Sequence, residues 1–445
     1  MKKSMKKIRV FIKYFLVFFF FLFWNLIVSS VNLDEIWNYG FTHSIYRGLI
    51  PYRDFNMVIT PLFPFLMSIP FHLFGSSMLI FHIEQAFLLT IIFYLIHSYL
   101  KDKSYIFLFF IVFPLSVAFR SYNLFLFLLF LILIKLEDIK ANDYLIGFVL
   151  ACFVLTKQTV GMMMILPSLY YLKQPRKIFK RFIGAIIPGI IFLIYLVISK
   201  SIVQFFDLCL FGLFDFVSNS KGINIFFILG IIMFIIVLFL IKKDKKNINN
   251  YYLLAFFSVL LPLFDLYHFQ IVFLAFMFIL LLQVDLKIYL NIKLFTVGML
   301  IGLTILSLRD RIDGKIIYPN NIKYFNYRYL TNEYINYSNK INRFIDKYDD
   351  REIIYLSADG YYFKIINDLD IGYLDLINTG NLGYNGSNKL LKMIKEKEDE
   401  CVFFVDNSEL GSNKQTDQKA LKYVIKNGRL LDKVGSYSVY EIKNE

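Results

Sequence analysis

The sequence predicts a multi-pass α-helical membrane protein with a small α/β domain at its C-terminal end. Three observations lead to this fold class. The chain has 445 residues, 58% of them hydrophobic, and its mean hydropathy of +0.57 is too high for a soluble globular protein. Several apolar runs are long enough to cross a bilayer. The composition changes near residue 309, where Asn, Tyr, Asp and Lys replace the apolar runs. We therefore predict a transmembrane domain at 1–308 and a second domain at 309–445.

The first predicted span, 10–28, follows the basic segment MKKSMKKIR. Its apolar run is long and no small-residue cleavage site follows it, so we interpret it as a retained helix and not as a signal peptide. Ten more apolar runs bring the number of predicted transmembrane helices to about eleven. These runs lie at 76–98, 105–119, 122–135, 144–156, 160–172, 182–199, 223–241, 251–264, 268–284 and 292–308.

The charge distribution predicts the orientation in the membrane. The net charge is +14, but residues 309–445 contain 21 basic and 21 acidic residues, so the whole excess lies in residues 1–308. One set of connections between the predicted spans carries 21 Lys and Arg against 6 Asp and Glu, and the other set carries 6 against 6. Basic connections stay inside, so we expect a plasma-membrane protein with a cytoplasmic N-terminus and an extracytoplasmic C-terminal domain. The basic excess therefore requires no nucleic acid partner.

Residues 29–75 form the first outer loop. Four prolines (Pro51, Pro61, Pro64 and Pro70) break the segment too often for a single span, yet it is too apolar for a free loop. We expect amphipathic helices at about 35–47 and 61–74 that lie along the outer membrane face.

The C-terminal domain alternates predicted strands with predicted helices. The segments REIIYLS, CVFFVD and SYSVYEIK are typical of strands, and the stretches 331–347, 387–397 and 415–427 are typical of helices. This alternation predicts a small α/β domain with a partly parallel sheet. No glycine-rich phosphate loop opens these predicted helices, so we expect a lid, docking or stability module and no nucleotide site.

The acidic pair Asp34-Glu35 follows the first predicted span directly. Such a pair can simply cap the next helix, since Asp is a favoured N-cap residue. Its surroundings point to chemistry, because three further elements follow it in order. These elements are the turn Gly48-Leu49-Ile50-Pro51-Tyr52-Arg53-Asp54, the segment Pro61-Leu62-Phe63-Pro64 and the dipeptide Phe74-Gly75.

This order of elements resembles the first outer loop of the GT-C glycosyltransferases, near the protein mannosyltransferase and aminoarabinose transferase branch. The close match covers about a tenth of the chain, and the helix count and outer C-terminal domain extend it loosely to the full length. The resemblance implies transfer of a sugar from a polyprenyl-phosphate donor to an acceptor hydroxyl of a glycan, lipid or protein. The reaction would be an inverting single displacement on the outer face of the bilayer.

That reaction needs a base for the acceptor hydroxyl and positive charge for the phosphate leaving group. We predict Asp34 as the catalytic base from its position in the motif, with Glu35 as a second catalytic carboxylate that orients or accepts a hydrogen bond. Arg120 and Lys157, at outer helix ends, are the predicted contacts to the donor phosphate. Cations at such positions commonly just extend towards the interface.

Three more contacts to substrate are candidates. Arg53 is a third possible cation, although its neighbour Asp54 is an available ion-pair partner. Glu84 lies inside the second span, where pairing with a cation of a neighbouring helix is the more common role of a carboxylate. His268, at an outer turn, could contact phosphate or sugar, although a lone histidine there is more often merely interfacial.

We expect no cofactor and no metal. Some GT-C enzymes hold a divalent cation with a second acidic cluster in a later outer loop. Here the second outer loop reads RSYN (residues 120–123) and has no carboxylate. The resemblance therefore implies the metal-independent, monophosphate-donor type.

Three alternative functions stay open at this point. A polysaccharide polymerase or O-antigen-ligase-like enzyme would use a diphosphate-linked glycan, but such proteins usually have a large late outer loop between helices. A transporter or flippase of lipid-linked glycans would show two similar halves or a charged central path. A scaffold without chemistry is the third alternative.

Overall fold

The computed structural model describes most of the chain. The predicted spans 105–119 and 292–308 lie outside the described residues. The described residues are 2–27, 33–99, 121–214, 224–261, 265–283, 314–316, 324, 329–348, 350–373, 375–378, 380–411 and 416–442.

All the remaining predicted spans of the N-terminal part are helical. Apolar runs without internal charge favour helix because each backbone group finds its partner within the segment. The described helices here are α1 (Lys2–Ile27), α2 (Leu33–Tyr46), α3 (Leu62–Phe74), α4 (Met78–Tyr99), α5 (Tyr122–Asp138), α6 (Asp143–Thr156), α7 (Gln158–Ile165), α8 (Pro175–Ile198), α9 (Ile202–Phe206), α10 (Ile225–Lys243), α11 (Ile248–Phe256) and α12 (Leu266–Gln283). Short 3₁₀ turns extend α7 and α11, and a π-helical turn extends α9.

Within the described residues, four helices are long and apolar enough to cross a membrane. They are Ile8–Leu26, Met78–Tyr99, Pro175–Ile198 and Ile225–Lys243. Shorter apolar helices include Asp143–Thr156, Ile248–Leu260 and Tyr267–Gln283. The structure thus supports a helical membrane protein, and the number of about eleven spans stays a prediction.

Two glycines bring α6 and α8 into close contact. A Cβ atom on Gly147 would lie 1.9 Å from the carbonyl oxygen of Arg181, and one on Gly184 would lie 2.0 Å from that of Tyr144. Small residues at such crossings let membrane helices approach backbone to backbone. The buried Arg181 guanidinium adds ion pairs to Glu137 at 2.8 Å and to Asp143 at 3.0 Å, which ties α8 to α5 and α6.

The first outer loop contains two helices at the predicted places. The sequence predicted helices at 35–47 and 61–74, and the structure has α2 at Leu33–Tyr46 and α3 at Leu62–Phe74. Between them the chain makes a tight turn in which Tyr52 has a φ of 71°. The Tyr52 hydroxyl is buried and donates to the carbonyl of Ile59 at 2.8 Å, which holds the loop against itself.

The C-terminal domain is a small α/β unit, as predicted. Its sheet has the order β3-β4-β6-β5, and β3 and β4 are parallel while the other two pairs are antiparallel. The sheet is thus partly parallel, as the sequence indicated. The elements are β1 (Gly314–Ile316), β2 (Tyr329–Thr331), α13 (Asn332–Ile345), β3 (Glu352–Leu356), α14 (Gly360–Ile366), α15 (Gly386–Lys397), β4 (Cys401–Asp406), α16 (Gln418–Asn427), β5 (Arg429–Val434) and β6 (Tyr437–Glu441).

One hydrophobic core joins this domain to the first outer loop. It includes Ile36 and Phe41 of α2 and Phe71 of α3 together with Tyr361 of α14 and Phe404 of β4. The sequence left open whether the domain is a lid, a docking module or a stability module. The shared core shows that it packs directly on the helix that carries the acidic pair.

Candidate functional site

The acidic pair occupies the first turn of α2. Carboxylates are favoured there because the helix dipole places partial positive charge at the N-terminus. Asp34 and Glu35 project in different directions and have different surroundings. Asn38, one turn later, donates to the main-chain oxygen of Asp34 at 2.7 Å and accepts from the N–H of Tyr122 at 3.3 Å. These contacts fix the start of α2 against the start of α5.

Glu35 is fully buried and contacts His82 of α4. Glu35 Oε1 lies 3.0 Å from His82 Nε2, and both side chains are 0% exposed. The side-chain amide of Asn25 in α1 donates to the main-chain oxygen of His82 at 3.4 Å. Glu35 therefore joins α2 to the membrane helices. The sequence gave no sign that Glu35 and His82 meet.

Asp34 remains half-buried and faces charged groups from two other parts of the chain. Burial raises the pKa of Asp34, and the negative charge of Asp265 adds to this effect. The positive charges of His268 and Lys157 act in the opposite direction. No described side chain makes a hydrogen bond or ion pair with the Asp34 carboxylate. The structure thus brings three predicted site residues, Asp34, Lys157 and His268, into one electrostatic group.

Lys157 lies at the break between α6 and α7. It has an extended backbone (φ −151°, ψ 107°) that ends one helix and starts the next. Its ammonium nitrogen lies 5.6 Å from the centre of the Tyr122 ring. It makes no hydrogen bond or ion pair with any of the described residues. Burial lowers the pKa of Lys157 to about 8, against the opposing effect of Asp265 and Asp34.

The turn around Lys157 is anchored to the outer loop. The side-chain amide of Gln158 donates to the carbonyl oxygens of Val58 and Cys209, both at 2.8 Å. Gly161 has no room for a side chain, because a Cβ there would lie 2.2 Å from the backbone of Val154. The break is therefore tightly defined, and the position of the Lys157 side chain follows from it.

Asp265 and His268 form a hydrogen-bonded pair at the start of α12. One oxygen of Asp265 lies 2.8 Å from His268 Nδ1 and accepts the His268 main-chain N–H, also at 2.8 Å. Burial raises the pKa of Asp265, but the hydrogen bonds and positive charge of His268 outweigh it and leave the value lowered. Sequence reasoning missed Asp265 as a site residue, and its spacing of three residues from His268 was the only signal of this contact.

Several buried polar atoms of residues close in sequence to these have no hydrogen-bond partner among the described residues. They belong to Asn123, which follows Tyr122; to Gln158 and Thr159, which follow Lys157; and to Gln270, which lies two residues after His268. Buried polar groups are normally paired, since an orphan costs about 1–3 kcal/mol.

Arg53 and Asp54 contact each other, and the structure gives neither a contact with Asp34. Two hydrogen bonds of 2.8 and 2.9 Å join them, and Asp54 also accepts the main-chain N–H of Ile50 at 2.8 Å. The hydrogen bond from Arg53 lowers the pKa of Asp54, with burial acting against it. These contacts stabilise the turn of the outer loop.

Glu84 lines an apolar groove of about 660 Å³ between α1, α3, α4 and α5. Its carboxylate is buried and neither oxygen has a hydrogen-bond partner, so the cationic partner that we expected is absent among the described residues. One lining residue, Phe125, lies one helical turn after Tyr122, whose ring is contacted by the Lys157 ammonium group. The lining residues are Phe18, Phe63, Leu66, Met67, Pro70, Phe74, Ile80, Ile83, Glu84, Phe87, Leu88 and Phe125.

Arg120 lies outside the described residues, so its predicted contact with phosphate stays a prediction. Among the residues that the structure describes, no group of three His, Cys, Asp or Glu side chains could hold a metal ion.

Comparisons with known proteins add no relatives. No family model, no curated protein and no solved structure matches this chain.

Proposed function

We propose that this protein is a membrane glycosyltransferase that moves a sugar from a polyprenyl-phosphate donor to an acceptor hydroxyl on the outer face of the membrane. The observation that carries the proposal is the juxtaposition of Asp34 and Lys157. A carboxylate and an ammonium group, neither of them bound to a described side chain, share one electrostatic group next to an apolar groove. Such an arrangement suits a substrate with a lipid tail, an anionic head and a reacting hydroxyl.

Asp34 is the base in this proposal. The acceptor oxygen forms a bond to the anomeric carbon while the bond from that carbon to the phosphate oxygen breaks. The electron pair of the broken bond leaves with the polyprenyl phosphate, and the hydroxyl proton passes to Asp34. A positioned base of this kind typically accelerates the reaction about 10²–10⁴-fold. The raised pKa of Asp34 suits the role, since it makes the ionised carboxylate a stronger proton acceptor than an ordinary aspartate.

Lys157 supplies the charge for the leaving group. The phosphate gains negative charge as its bond to the sugar breaks, and a fixed cation in a site of low dielectric stabilises that charge with little reorganisation. The short helix break holds the ammonium in place before the reaction. Glu35 has a different role in this proposal, because its contact with His82 makes it an anchor of α2.

The groove accounts for the lipid part of the donor. Its wall is apolar apart from Glu84, and α3 covers it from the side of the outer loop. A polyprenyl chain can lie along such a surface with its phosphate directed towards Lys157. A flippase would also need a lipid groove, but a carboxylate and an ammonium group that no described side chain pairs favour group transfer.

Deletion of the gene tests the proposal. Surface glycans, glycolipids and glycoproteins of cells with and without it would be compared by mass spectrometry. We expect one sugar to disappear from one class of acceptor and the polyprenyl-phosphate sugar to accumulate. Unchanged surface glycans would contradict the proposal. Loss of an entire lipid-linked glycan from the outer face would favour the flippase.

A further inference from the structure

The C-terminal domain packs against α2 through a contact that requires a glycine. Tyr361, in the first turn of α14, is fully buried and its ring lies on Gly40 of α2. A Cβ atom at position 40 would lie 2.3 Å from the Tyr361 hydroxyl oxygen and 2.5–2.7 Å from two ring carbons. Since the Tyr361 ring is enclosed on all sides, it cannot easily move away. Gly40 thus forms a notch that fits this tyrosine.

Tyr361 also contacts the residues around the notch. Its hydroxyl donates to the main-chain oxygen of Trp37 at 3.5 Å, and its ring meets that of Phe41 edge to face at 6.0 Å between centroids. The tyrosine therefore touches α2 at three positions along about one turn of helix. Because Tyr361 contacts a main-chain oxygen and a glycine, it fixes the position of the α2 backbone and not only that of one side chain.

Further pairs hold the same two units together. His43 Nε2 lies 3.2 Å from Asp368, and Arg47 lies 3.4 Å from Asp370. In the loop after α2, the Asn56 amide donates to the main-chain oxygens of Leu376 and Asn381 at 3.2 and 2.8 Å. The docking is thus extensive, but Tyr361 is its contact nearest to Asp34 along α2.

The membrane helices hold α2 at other points. Glu35 contacts His82 of α4, and Asn38 accepts the N–H of Tyr122. Helix α2 is therefore held between the membrane helices and the C-terminal domain. Gly40 follows Asp34 by six residues, which is about 9 Å along a helix that rises about 1.5 Å per residue. A shift of α2 at Gly40 therefore moves Asp34 as well.

We propose that Tyr361 is a positioning residue, through which the C-terminal domain sets the place of the helix that carries the base. The consequence for transfer rests on the proposed function, whereas the docking contact does not. A displacement of about 1 Å in a catalytic group can lower a rate by about a hundredfold. The C-terminal domain then belongs to the catalytic unit although it contributes no reacting group.

Four variants test this proposal. Gly40→Ala places a methyl group against the tyrosine, and Tyr361→Leu removes the ring from the other side without altering α2. The double variant Gly40→Ala/Tyr361→Leu removes the clash. Gly189→Ala is the matched control, because Gly189 lies in helix α8 with nothing within 4 Å of its Cβ position.

Three measurements are made on each variant. The chain has two tryptophans, so in a Trp24→Phe background the fluorescence of Trp37 reports on the notch. Thermal unfolding in detergent reports on the fold. The amount of surface glycan restored in cells that lack the gene, divided by the amount of folded protein, reports on transfer.

We expect Gly40→Ala to shift the Trp37 emission, to lower the unfolding temperature and to lower transfer per folded protein by between about tenfold and a hundredfold. The double variant should transfer at about the level of Tyr361→Leu alone, because the added methyl group then meets no ring, and Gly189→Ala should match the wild type. If Gly40→Ala does not fold, Tyr361→Leu carries the test, with a loss of transfer in the same direction.

Full transfer in Gly40→Ala or Tyr361→Leu would overturn the proposal, whether or not the Trp37 emission shifts. A loss of transfer that follows the loss of folded protein would show a purely structural contact and would also overturn it. Failure of the proposed function gives a different pattern, because the Asp34→Asn variant would then also restore the glycan in full.

Discussion

At the scale of single residues, the adjacent carboxylates Asp34 and Glu35 have different roles because their partners differ. Glu35 is enclosed with His82, whereas the Asp34 carboxylate is half-buried and, within the described part of the chain, has only electrostatic neighbours. The sequence indicated the pair and its position in the outer loop. It could not separate the two roles, because the partner of Glu35 lies 47 residues away in a membrane helix.

The pH dependence of transfer follows from Asp34 and Lys157. The base must be ionised, so transfer is lost as the pH falls through the raised pKa of Asp34, at a higher pH than for an ordinary aspartate. The cation must be protonated, so transfer is lost as the pH rises through the Lys157 pKa of about 8. We expect a bell-shaped profile in membranes that contain their own donor and acceptor, measured between about pH 5 and pH 10.

The variant Lys157→Arg separates the two limbs. Arginine stays protonated to a pH above about 12, so the alkaline limb should move out of the measured range while the acid limb stays. Lys157→Met should lower transfer strongly at every pH, with normal protein levels. An alkaline limb that stays in place in Lys157→Arg would show that Lys157 does not set it.

The contact between Glu35 and His82 predicts that loss of either side chain makes the protein less stable than the wild type. Removal of one partner leaves a buried polar group unpaired, so Glu35→Ala and His82→Ala should each lower the free energy of unfolding by about 3 kcal/mol. The double variant should cost less than the sum of the two. Thermal unfolding in detergent measures this. Normal stability in Glu35→Gln together with loss of transfer would instead make Glu35 a catalytic residue.

At the scale of elements, the apolar pattern predicted the described helices of the N-terminal part well and some elements of the C-terminal domain poorly. Helix α14 has the sequence GYYFKII, whose aromatic and β-branched residues do not favour helix, and strand β5 (RLLDKV) is too polar to be recognised alone. Both form because of tertiary contacts: Tyr361 of α14 packs on α2, and β5 pairs with β6. Local propensity is a weak guide where such contacts decide.

The crossing of α6 and α8 gives a prediction at this scale. A methyl group on Gly184 would clash with the backbone of Tyr144, so Gly184→Ala should lower the free energy of unfolding by about 1–3 kcal/mol. Gly189→Ala, five residues later in the same helix, has open space and should cause little change. Equal unfolding temperatures for the two variants would show that α6 and α8 are not in backbone contact.

At the scale of the whole molecule, the chain combines a helical membrane part with an α/β domain that shares a core with the first outer loop. The sequence predicted the two parts, and their predicted division near residue 309 lies outside the described residues. It could not predict their docking, because the notch at Gly40 and the ring of Tyr361 are far apart in sequence and neither belongs to a recognisable motif. By contrast, the sequence predicted Asp34, Lys157 and His268 as residues of one site, and the structure brings their charges together.

Orientation is a property of the whole molecule and is open to direct measurement. The excess of basic residues in one set of connections predicts that Glu445 lies outside and Lys246 inside. A reporter enzyme that is active only outside the cytoplasm should therefore work after Glu445 and stay silent after Lys246. Activity after Lys246 would reverse the topology and place Asp34 on the cytoplasmic face, where the proposed reaction does not occur.

The substitution Asp34→Asn tests the central claim most directly. Asparagine keeps the size and the hydrogen-bonding capacity of the side chain but cannot take the proton of the acceptor hydroxyl. The measurement is the amount of surface glycan restored per folded protein, with Asp244→Asn as the control, because it removes the same charge from an exposed connection far along the chain. We predict that the transfer rate of Asp34→Asn falls about 10²–10⁴-fold, whereas that of Asp244→Asn stays unchanged. Near-normal transfer by Asp34→Asn would show that Asp34 only caps α2, and it would contradict this account.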